Sequence, residues 1–320
     1  MKVSIGSKII DGPWGGGNLF VINLKNYLEK NGVEVVFSLK DKDIDIVLMT
    51  NPNKKSSSSS FSYKDVQRYK RSNKKAVIVH RINECDERKG TKNVNKFILK
   101  SNKVADFTIF VSNWLENLYQ TIGLDGKNKK TILSGSDKEI FNNRNSADWN
   151  QNLPLKLVTH HWGNNLNKGF EIYSIIDNEL DNPDFRKYFE FSYIGNLPDN
   201  FNFKNVKVFK PLSGLDLAEK IKEHHLYITG SINEPSGNHH IEGALCGLPV
   251  LYVNSGGIPE YTRGYGYEIN SQDVIKMLYK SKENYSTLKQ KMYTYPFNSE
   301  KMCEEYLQVF KMLMGYKNEN

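Results

Sequence analysis

Short apolar runs rich in β-branched residues alternate with amphipathic stretches along the whole chain. Runs of four to eight apolar residues predict buried strands, and apolar positions three or four residues apart predict helices. Polar, irregular sequence interrupts this alternation at 142–154, where we expect a domain boundary. Alternating strands and helices with nearly continuous apolar strands predict parallel sheets that are covered on both faces.

The alternation predicts an N-terminal Rossmann-like domain at 1–150 and a second one at 151–298, followed by a C-terminal helical segment at 299–320. The strands predicted before the boundary are Val3–Ile5, Val33–Ser38, Ile44–Met49, Lys75–Ile82, Ala105–Ser112 and Lys130–Leu133, with a helix at Leu19–Lys30. The strands predicted after it are Leu155–His161, Tyr188–Gly195, Val206–Leu212, Leu226–Ser231 and Pro249–Asn254. The helices predicted there are Lys168–Leu180, two that begin near Ser213 and Asn238, Gln272–Lys282 and Glu300–Met314.

Length and composition indicate which classes of protein the chain does not belong to. A chain of 320 residues has room for two cores. It has no run of about 18 apolar residues, so we expect no spanning helix. Its N-terminus lacks the apolar stretch of a signal peptide. The three cysteines are far apart in sequence, which excludes a disulfide scaffold and fits a cytoplasmic protein.

Charge is distributed unevenly between the two parts of the chain. Residues 1–150 contain 26 Lys and Arg against 16 Asp and Glu, whereas the remainder has a net charge of −2. A basic half predicts an anionic partner such as a lipid surface, a phosphorylated acceptor or nucleic acid. The alternative is a lysine-rich surface without a specific partner. Because no nucleic-acid-binding motif occurs, we expect no nucleic acid, and we keep peripheral contact with an anionic membrane as a hypothesis.

The richest motif follows the strand predicted at Leu226–Ser231. Glu234 precedes a Pro-Ser-Gly turn that opens a helix at Asn238, and Glu242 lies inside that helix. Free N–H groups and the positive end of the helix dipole favour a phosphate at such a helix start. The two carboxylates would then face hydroxyls or a cation. The alternative is a helix whose acidic residues merely favour the dipole.

Glu234 and Glu242 are separated by seven residues and followed by Ala-x-x-Gly-x-Pro-Val, and the next loop, 254–260, reads NSGGIPE. This pattern resembles the donor site of retaining GT-B glycosyltransferases, those of glycosyltransferase family 4 in particular. The resemblance implies two Rossmann-like domains with parallel sheets facing a central cleft. It also implies transfer of a hexosyl or related sugar from a UDP- or GDP-sugar to an acceptor hydroxyl on a glycan, a lipid-linked substrate or a small molecule.

Further motifs extend the resemblance. The run Gly15–Asn18 before a helix is similar to the family's GG-x-N loop, and Lys168-Gly169 matches its K-G pair. The family's arginine five or six residues before that lysine is absent, and we expect His160 or His161 to substitute for it. The donor-binding residues implied are Gly16, Gly17, Asn18, His161, Lys168, Glu234, Ser236, Gly237, Asn238, His239 and Glu242.

The resemblance implies catalytic roles for Lys168, Glu234 and His80. Lys168 would pair with the donor diphosphate, while Glu234 would contact the sugar or the leaving group. His80, expected at the end of its strand, would donate a hydrogen bond to the sugar; the alternative is a packed histidine at a strand end. The leaving phosphate would assist deprotonation of the acceptor, so no protein base is required. By the same resemblance, the segment 299–320 would pack back on the N-terminal domain.

Three adjacent histidine pairs, 160/161, 224/225 and 239/240, lack the spacing of a metal motif, and we expect neither a metal nor an obligatory cofactor. A GxGxxG fingerprint, a P-loop and a GxSxG elbow are all absent from the sequence. Two other functions stay open. One is a nucleotide-sugar epimerase of the same fold, and the other is a catalytically weak sugar-nucleotide binder.

Overall fold

The computed structural model describes residues 1–10, 15–124, 126 and 128–315. Its strands are β1 (Lys2–Ile5), β2 (Glu34–Val36), β3 (Ile46–Met49), β4 (Val77–Ile82), β5 (Phe107–Phe110), β6 (Lys129–Thr131), β7 (Leu155–His161), β8 (Phe189–Gly195), β9 (Lys207–Phe209), β10 (Leu226–Thr229), β11 (Val250–Val253) and β12 (Gly266–Ile269). A 3-10 helix covers Leu166–Lys168. The α-helices are α1 (Gly16–Lys30), α2 (Tyr63–Ser72), α3 (Val94–Asn102), α4 (Asn113–Thr121), α5 (Phe170–Glu179), α6 (Pro183–Arg186), α7 (Gly214–Lys222), α8 (Asn238–Leu245), α9 (Ile258–Thr262), α10 (Val274–Glu283), α11 (Tyr285–Met292) and α12 (Ser299–Leu313).

The described strands form two parallel sheets of six strands each. The first has the order β2-β1-β3-β4-β5-β6 and the second the order β12-β11-β10-β7-β8-β9. This confirms the α/β architecture with parallel sheets that the sequence predicts. In the second sheet, the strand order reverses between β7 and β10, which pair in parallel. Open α/β sheets bind ligands at the carboxyl ends of the strands that flank such a reversal.

The chain divides into two compact units. The first comprises Met1–Gly135 together with the described residues from Ser299 onward, and the second comprises Ser136–Asn298. The predicted boundary at residue 150 differs from this division because 136–150 packs within the second unit. There, the amide of Ala147 donates to the carbonyl of Lys222, and Trp149 lies edge-on to Tyr285.

Most predicted elements are present, but most strands are shorter than predicted. Where a predicted strand end has no hydrogen-bonded neighbouring strand, the chain continues as loop. The sequence analysis gave no bounds for α2, α3 and α4, and it missed β12 and the helices α6, α9 and α11. The β12 segment reads GYEI, and only Ile269 among its residues is buried. A single buried apolar residue does not produce the alternation that predicts a strand.

The core of the first unit lies under α1 and α12. Phe20 of α1 packs against Tyr306 of α12 with ring centroids 5.2 Å apart, and Phe310 is fully buried in the same cluster. Met302, Tyr306, Val309 and Phe310 recur at helical spacing, and all four are buried. The C-terminal helix is therefore part of the core of the first unit, although it follows the second unit in sequence.

Replacement of Phe310 by alanine tests this packing. Because the ring is fully buried, Phe310→Ala is expected to lower the free energy of unfolding of the first unit by about 3–5 kcal/mol. The matched control is Met312→Ala on the same helix, where 54% of the side chain is exposed and the change is expected to stay within about 0.5 kcal/mol. Urea unfolding measures both variants, and equal losses would contradict the assignment of α12 to this core.

Candidate functional site

Two loops of the second unit approach each other at the carboxyl ends of β7 and β10. A Cβ placed on Gly169 would lie 2.6 Å from the Cα of Gly230, so the two backbones touch where no side chain fits. Gly169 also adopts a φ of 104°, which glycine tolerates at no steric cost. The contact brings Lys168, just before Gly169, next to the segment that follows β10.

Lys168 and Glu234 form a largely buried ion pair across these two loops. The ammonium Nζ of Lys168 donates to Oε2 of Glu234, and the two side chains are 13% and 5% exposed. A carboxylate removed from water requires a donor of this kind. The pair joins two residues that the sequence analysis assigned to opposite tasks, one to the diphosphate and one to the sugar.

The loop with two consecutive glycines fixes the backbone of Glu234. The amide of Gly257 donates to the carbonyl of Glu234 over 2.9 Å. Gly256 has a φ of 65°, and a Cβ there would lie 2.4 Å from the same carbonyl oxygen. The GG-I-P-E motif therefore acts on this site through backbone packing against Glu234.

Glu242 is buried inside α8 and is held by two side chains. Its Oε2 accepts from Nε2 of His160 over 2.8 Å, and its Oε1 lies 3.4 Å from Oγ of Ser136. Tyr227 in turn lies 3.0 Å from Nδ1 of His160 and accepts from the backbone amide of that histidine. Because a carboxylate only accepts, the His160 proton must be on Nε2, and in the neutral ring Nδ1 accepts from Tyr227. Burial raises the pKa of Tyr227 well above its usual value and keeps that donor protonated.

The first turn of α8 follows Gly237, which has a φ of 73°. The N-cap residue, Gly237, has no side chain that could cap this turn, and the N–H groups and positive dipole end of a helix start favour an anion. Gly243 fixes the position of the helix, since a Cβ there would lie 2.1 Å from the Tyr227 ring. Glu242 and the helix start are therefore both placed by the fit of α8 on β10.

The remaining histidines of the site form a buried aromatic cluster. The His161 and His239 rings are 4.5 Å apart, and His161 Nε2 lies 2.8 Å from the Tyr173 hydroxyl. His239 Nε2 lies 2.9 Å from Oγ1 of Thr229. Burial, with the Lys168 charge as a further cause, holds the pKa of both imidazoles well below 6.5. The sequence analysis expects His160 or His161 to substitute for the absent arginine by donating hydrogen bonds, and the lowered pKa of His161 means that this ring would do so in its neutral form.

The structure brings eight of the predicted donor-binding residues together in the second unit: His161, Lys168, Glu234, Ser236, Gly237, Asn238, His239 and Glu242. It adds Ser136, His160 and Tyr227 around Glu242. Sequence reasoning named His160 only as one of two histidines that would substitute for the absent arginine by donating hydrogen bonds. No sequence pattern around Ser136 or Tyr227 indicates a role in the site, because only the fold brings these two residues to Glu242.

The other four predicted residues belong to the first unit. His80 does not end its strand, because β4 continues to Ile82. Its Nδ1 lies 2.8 Å from Oδ1 of Asn102, and burial lowers its pKa to about 4. These are the properties of a packed, neutral histidine, the alternative left open by the sequence, so the case for His80 at the reacting centre is weakened.

The glycine-rich run opens α1. Gly16 and Gly17 are the first two residues of the helix, and a Cβ on Gly17 would meet no atom within 4 Å. The Asn18 amide both donates to the carbonyl of Ile10 and accepts from its backbone N–H, over 2.8 and 3.0 Å. Asn18 therefore fixes the backbone of Ile10 beside the first turn of α1.

No protein-family model matches the chain, and no curated protein matches it in sequence. Solved structures match it over nearly its whole length. The sucrose-phosphate synthase of Thermosynechococcus elongatus does so with a TM-score of 0.68 at 14% identity, over 99% of this chain and 100% of its own. The HepE protein of Anabaena in complex with UDP-glucose matches with a TM-score of 0.70 at 13% identity, over 98% of this chain and 100% of its own. A glycosyltransferase from Rickettsia africae matches with a TM-score of 0.66 at 14% identity, over 99% of each chain.

The chain has a GT-B fold. At this level of identity the likeness concerns the fold alone, and it confirms the GT-B architecture implied by the sequence motifs. In this GT-B chain, no group of three His, Cys, Asp or Glu side chains among the described residues is arranged to hold a metal ion. No helix of the described segments is long and apolar enough to cross a membrane.

The buried histidines predict how the stability of the GT-B chain depends on pH. In the unfolded chain, His161, His239 and His240 bind protons below pH 6.5. In the folded chain, the pKa of His161 and of His239 is held well below 6.5, and the pKa of His240 is lowered to about 4. Unfolding therefore takes up protons in this range, and the stabilisation present above pH 6.5 is lost as the pH falls toward 4. Each histidine contributes a slope of up to about 1.4 kcal/mol per pH unit.

Urea unfolding at pH 7, 6 and 5 measures this slope. We expect the midpoint to fall toward pH 5 in the wild type and to fall less steeply in His239→Gln, which removes one of the titrating rings. A midpoint independent of pH between 7 and 5, or the same slope in both proteins, would contradict the neutral buried state of these histidines.

Proposed function

We propose that the chain is a retaining glycosyltransferase of the family 4 type that uses a nucleoside-diphosphate sugar, with UDP-sugars as the first candidates. The observation that carries this proposal is the cluster of Lys168, Glu234, Glu242 and the uncapped start of α8 at the strand-order reversal. The fold adds support, because HepE of Anabaena shares it and was solved with UDP-glucose.

Lys168 and the first turn of α8 would bind the diphosphate. Donor binding would replace the carboxylate partner of Lys168 by phosphate oxygens, so the ammonium moves from one anion to another without being left unpaired. Glu234 would then turn its oxygens to hydroxyls of the transferred sugar. The N–H groups at residues 238–240 would complete the phosphate site.

Glu242 would bind the two ribose hydroxyls. Its carboxylate has about four acceptor positions, of which His160 and Ser136 use two. The remaining positions suit a vicinal diol, and they would repel phosphate. On this proposal the nucleoside would lie at Glu242 and the diphosphate at Lys168.

The reaction we propose breaks the bond between the anomeric carbon and the leaving phosphate and forms a bond to the acceptor oxygen on the same face. The acceptor proton passes to an oxygen of the leaving phosphate, so atoms and charges balance without a protein base. Lys168 and the helix dipole would stabilise the charge that develops on that phosphate. The absence of the family's arginine would reduce this stabilisation. The alternative outcome is therefore a weak enzyme or a non-catalytic binder.

Thermal unfolding with UDP tests the donor site. Bound ligand stabilises the folded chain by about 2.7 kcal/mol at a hundred times Kd, so UDP is expected to raise the Tm of the wild type by several degrees. Lys168→Ala should lose most of this shift. The control Lys187→Ala, an exposed lysine of the same unit paired with Asp184, should retain it.

No shift with UDP, GDP or their sugar conjugates in the wild type would overturn the proposal. Equal shifts in the two lysine variants would remove Lys168 from the site. Slow release of UDP from UDP-glucose would identify a transferase that hydrolyses its donor, and an altered sugar on the recovered donor would identify an epimerase instead.

A second experiment separates the nucleoside from the diphosphate. His160→Phe removes the N–H that orients Glu242, and a hydrogen bond to a charged group contributes about 1.5–3 kcal/mol, so UDP should bind at least about tenfold more weakly. Pyrophosphate, which has no ribose, should bind both proteins equally. His160→Gln retains a donor and should recover part of the UDP affinity. Equal weakening of UDP and pyrophosphate would mean that His160 supports the whole site and not Glu242 in particular.

A further inference from the structure

The first unit contains a buried arginine without an acidic partner. Arg81 lies in β4 beside His80 and is 5% exposed, yet no carboxylate of the described residues forms an ion pair with it. Its guanidinium carbon lies 3.9 Å from the centre of the Phe20 ring. Tyr306 of α12 is the other close group: burial raises the pKa of Tyr306, while the Arg81 guanidinium opposes this shift both by its charge and as a nearby hydrogen-bond donor.

Two polar atoms at this place are buried and unsatisfied. Nε of Arg81 has no hydrogen-bond partner among the described residues, and the hydroxyl of Tyr306, although close to the guanidinium, has no partner there with hydrogen-bond geometry. A guanidinium remains charged at every relevant pH, and a buried charge normally has a counter-charge or a full set of acceptors. An aromatic face satisfies this requirement only in part, since it offers no lone pair.

The position of Arg81 favours a ligand as the missing partner. Side chains alternate along a strand, so Arg81 lies on the same face as Val79, in the core under α1 and α12, while His80 faces Asn102 on the other side. Arg81 is the penultimate residue of β4, close to the carboxyl end of the sheet. Phe20 is in the second turn of α1, directly after the glycine-rich start of that helix.

We propose that Arg81 and Tyr306 bind an oxyanion, a phosphate or carboxylate group carried by the acceptor substrate. A guanidinium donates two parallel N–H groups to such a group, and a tyrosine hydroxyl adds a third donor. The assignment to the acceptor rests on the proposed function, which gives the donor diphosphate to the second unit. The oxyanion site itself does not depend on it.

Inorganic phosphate is the probe for this site. The experiment uses the full chain with Lys168→Ala, which removes the phosphate ligand proposed in the second unit, at constant ionic strength with chloride as the balancing anion. Phosphate is expected to raise the Tm of this protein in a saturable manner. Adding Arg81→Gln should abolish the shift, whereas adding Arg68→Gln, an exposed arginine of α2, should leave it intact.

A second variant keeps the test valid if Arg81→Gln does not fold. Tyr306→Phe retains the ring that packs on Phe20 and removes only the unsatisfied hydroxyl, so it should fold and bind phosphate several-fold more weakly. Glucose 6-phosphate should reproduce the rise in Tm that phosphate causes and glucose should not, and this result would assign the site to a phosphorylated acceptor. A rise in Tm with acetate but not with phosphate would assign the site to a carboxylate.

The proposal is overturned if phosphate and acetate both fail to stabilise the protein, or if phosphate stabilises the Arg81 and Arg68 variants equally. Failure of the donor-site proposal would look different. In that case UDP would not stabilise the chain with an intact Lys168, while the dependence of the phosphate shift on Arg81 would persist.

Discussion

Two buried carboxylates constrain the second unit more than any other feature. Glu234 and Glu242 are both buried, and an uncompensated buried carboxylate would cost several kcal/mol. Each therefore requires a donor at a fixed place, and the donors are Lys168 and His160. The close approach of Gly169 to Gly230 places Lys168, and the fit of Gly243 on Tyr227 places α8 and with it Glu242.

The two carboxylates are held by different kinds of donor. Glu234 pairs with the ammonium at the end of the flexible Lys168 side chain, whereas Glu242 is bonded to the His160 imidazole, which also contacts Tyr227. We propose that the first pair exchanges partners when a donor binds and that the second does not. On the proposed function, the exchangeable pair faces the reacting diphosphate and the fixed pair faces the nucleoside, which takes no part in the chemistry.

The sequence predicts the parts of this structure that depend on local patterns. Apolar β-branched runs gave β7 within its exact bounds, and the Pro-Ser-Gly turn gave the start of α8 at Asn238. Long-range contacts were not predictable in this way. His160 and Glu242 meet because β7 lies next to β10, and no pattern within either segment distinguishes His160 from His161. His80 was expected at a strand end but lies two residues before the end of β4, and a packed histidine and a catalytic one have the same sequence signature there.

A crystal structure of the chain with UDP bound would show which residues contact each part of the nucleotide. We expect diphosphate oxygens within hydrogen-bond distance of Lys168 Nζ and of the first turn of α8, with the Lys168–Glu234 pair opened. We also expect ribose hydroxyls on Glu242 while His160 keeps its bond to the same carboxylate. A nucleotide bound elsewhere, or one bound here with the Lys168–Glu234 pair intact and Glu242 out of reach of the ribose, would contradict the proposed donor site.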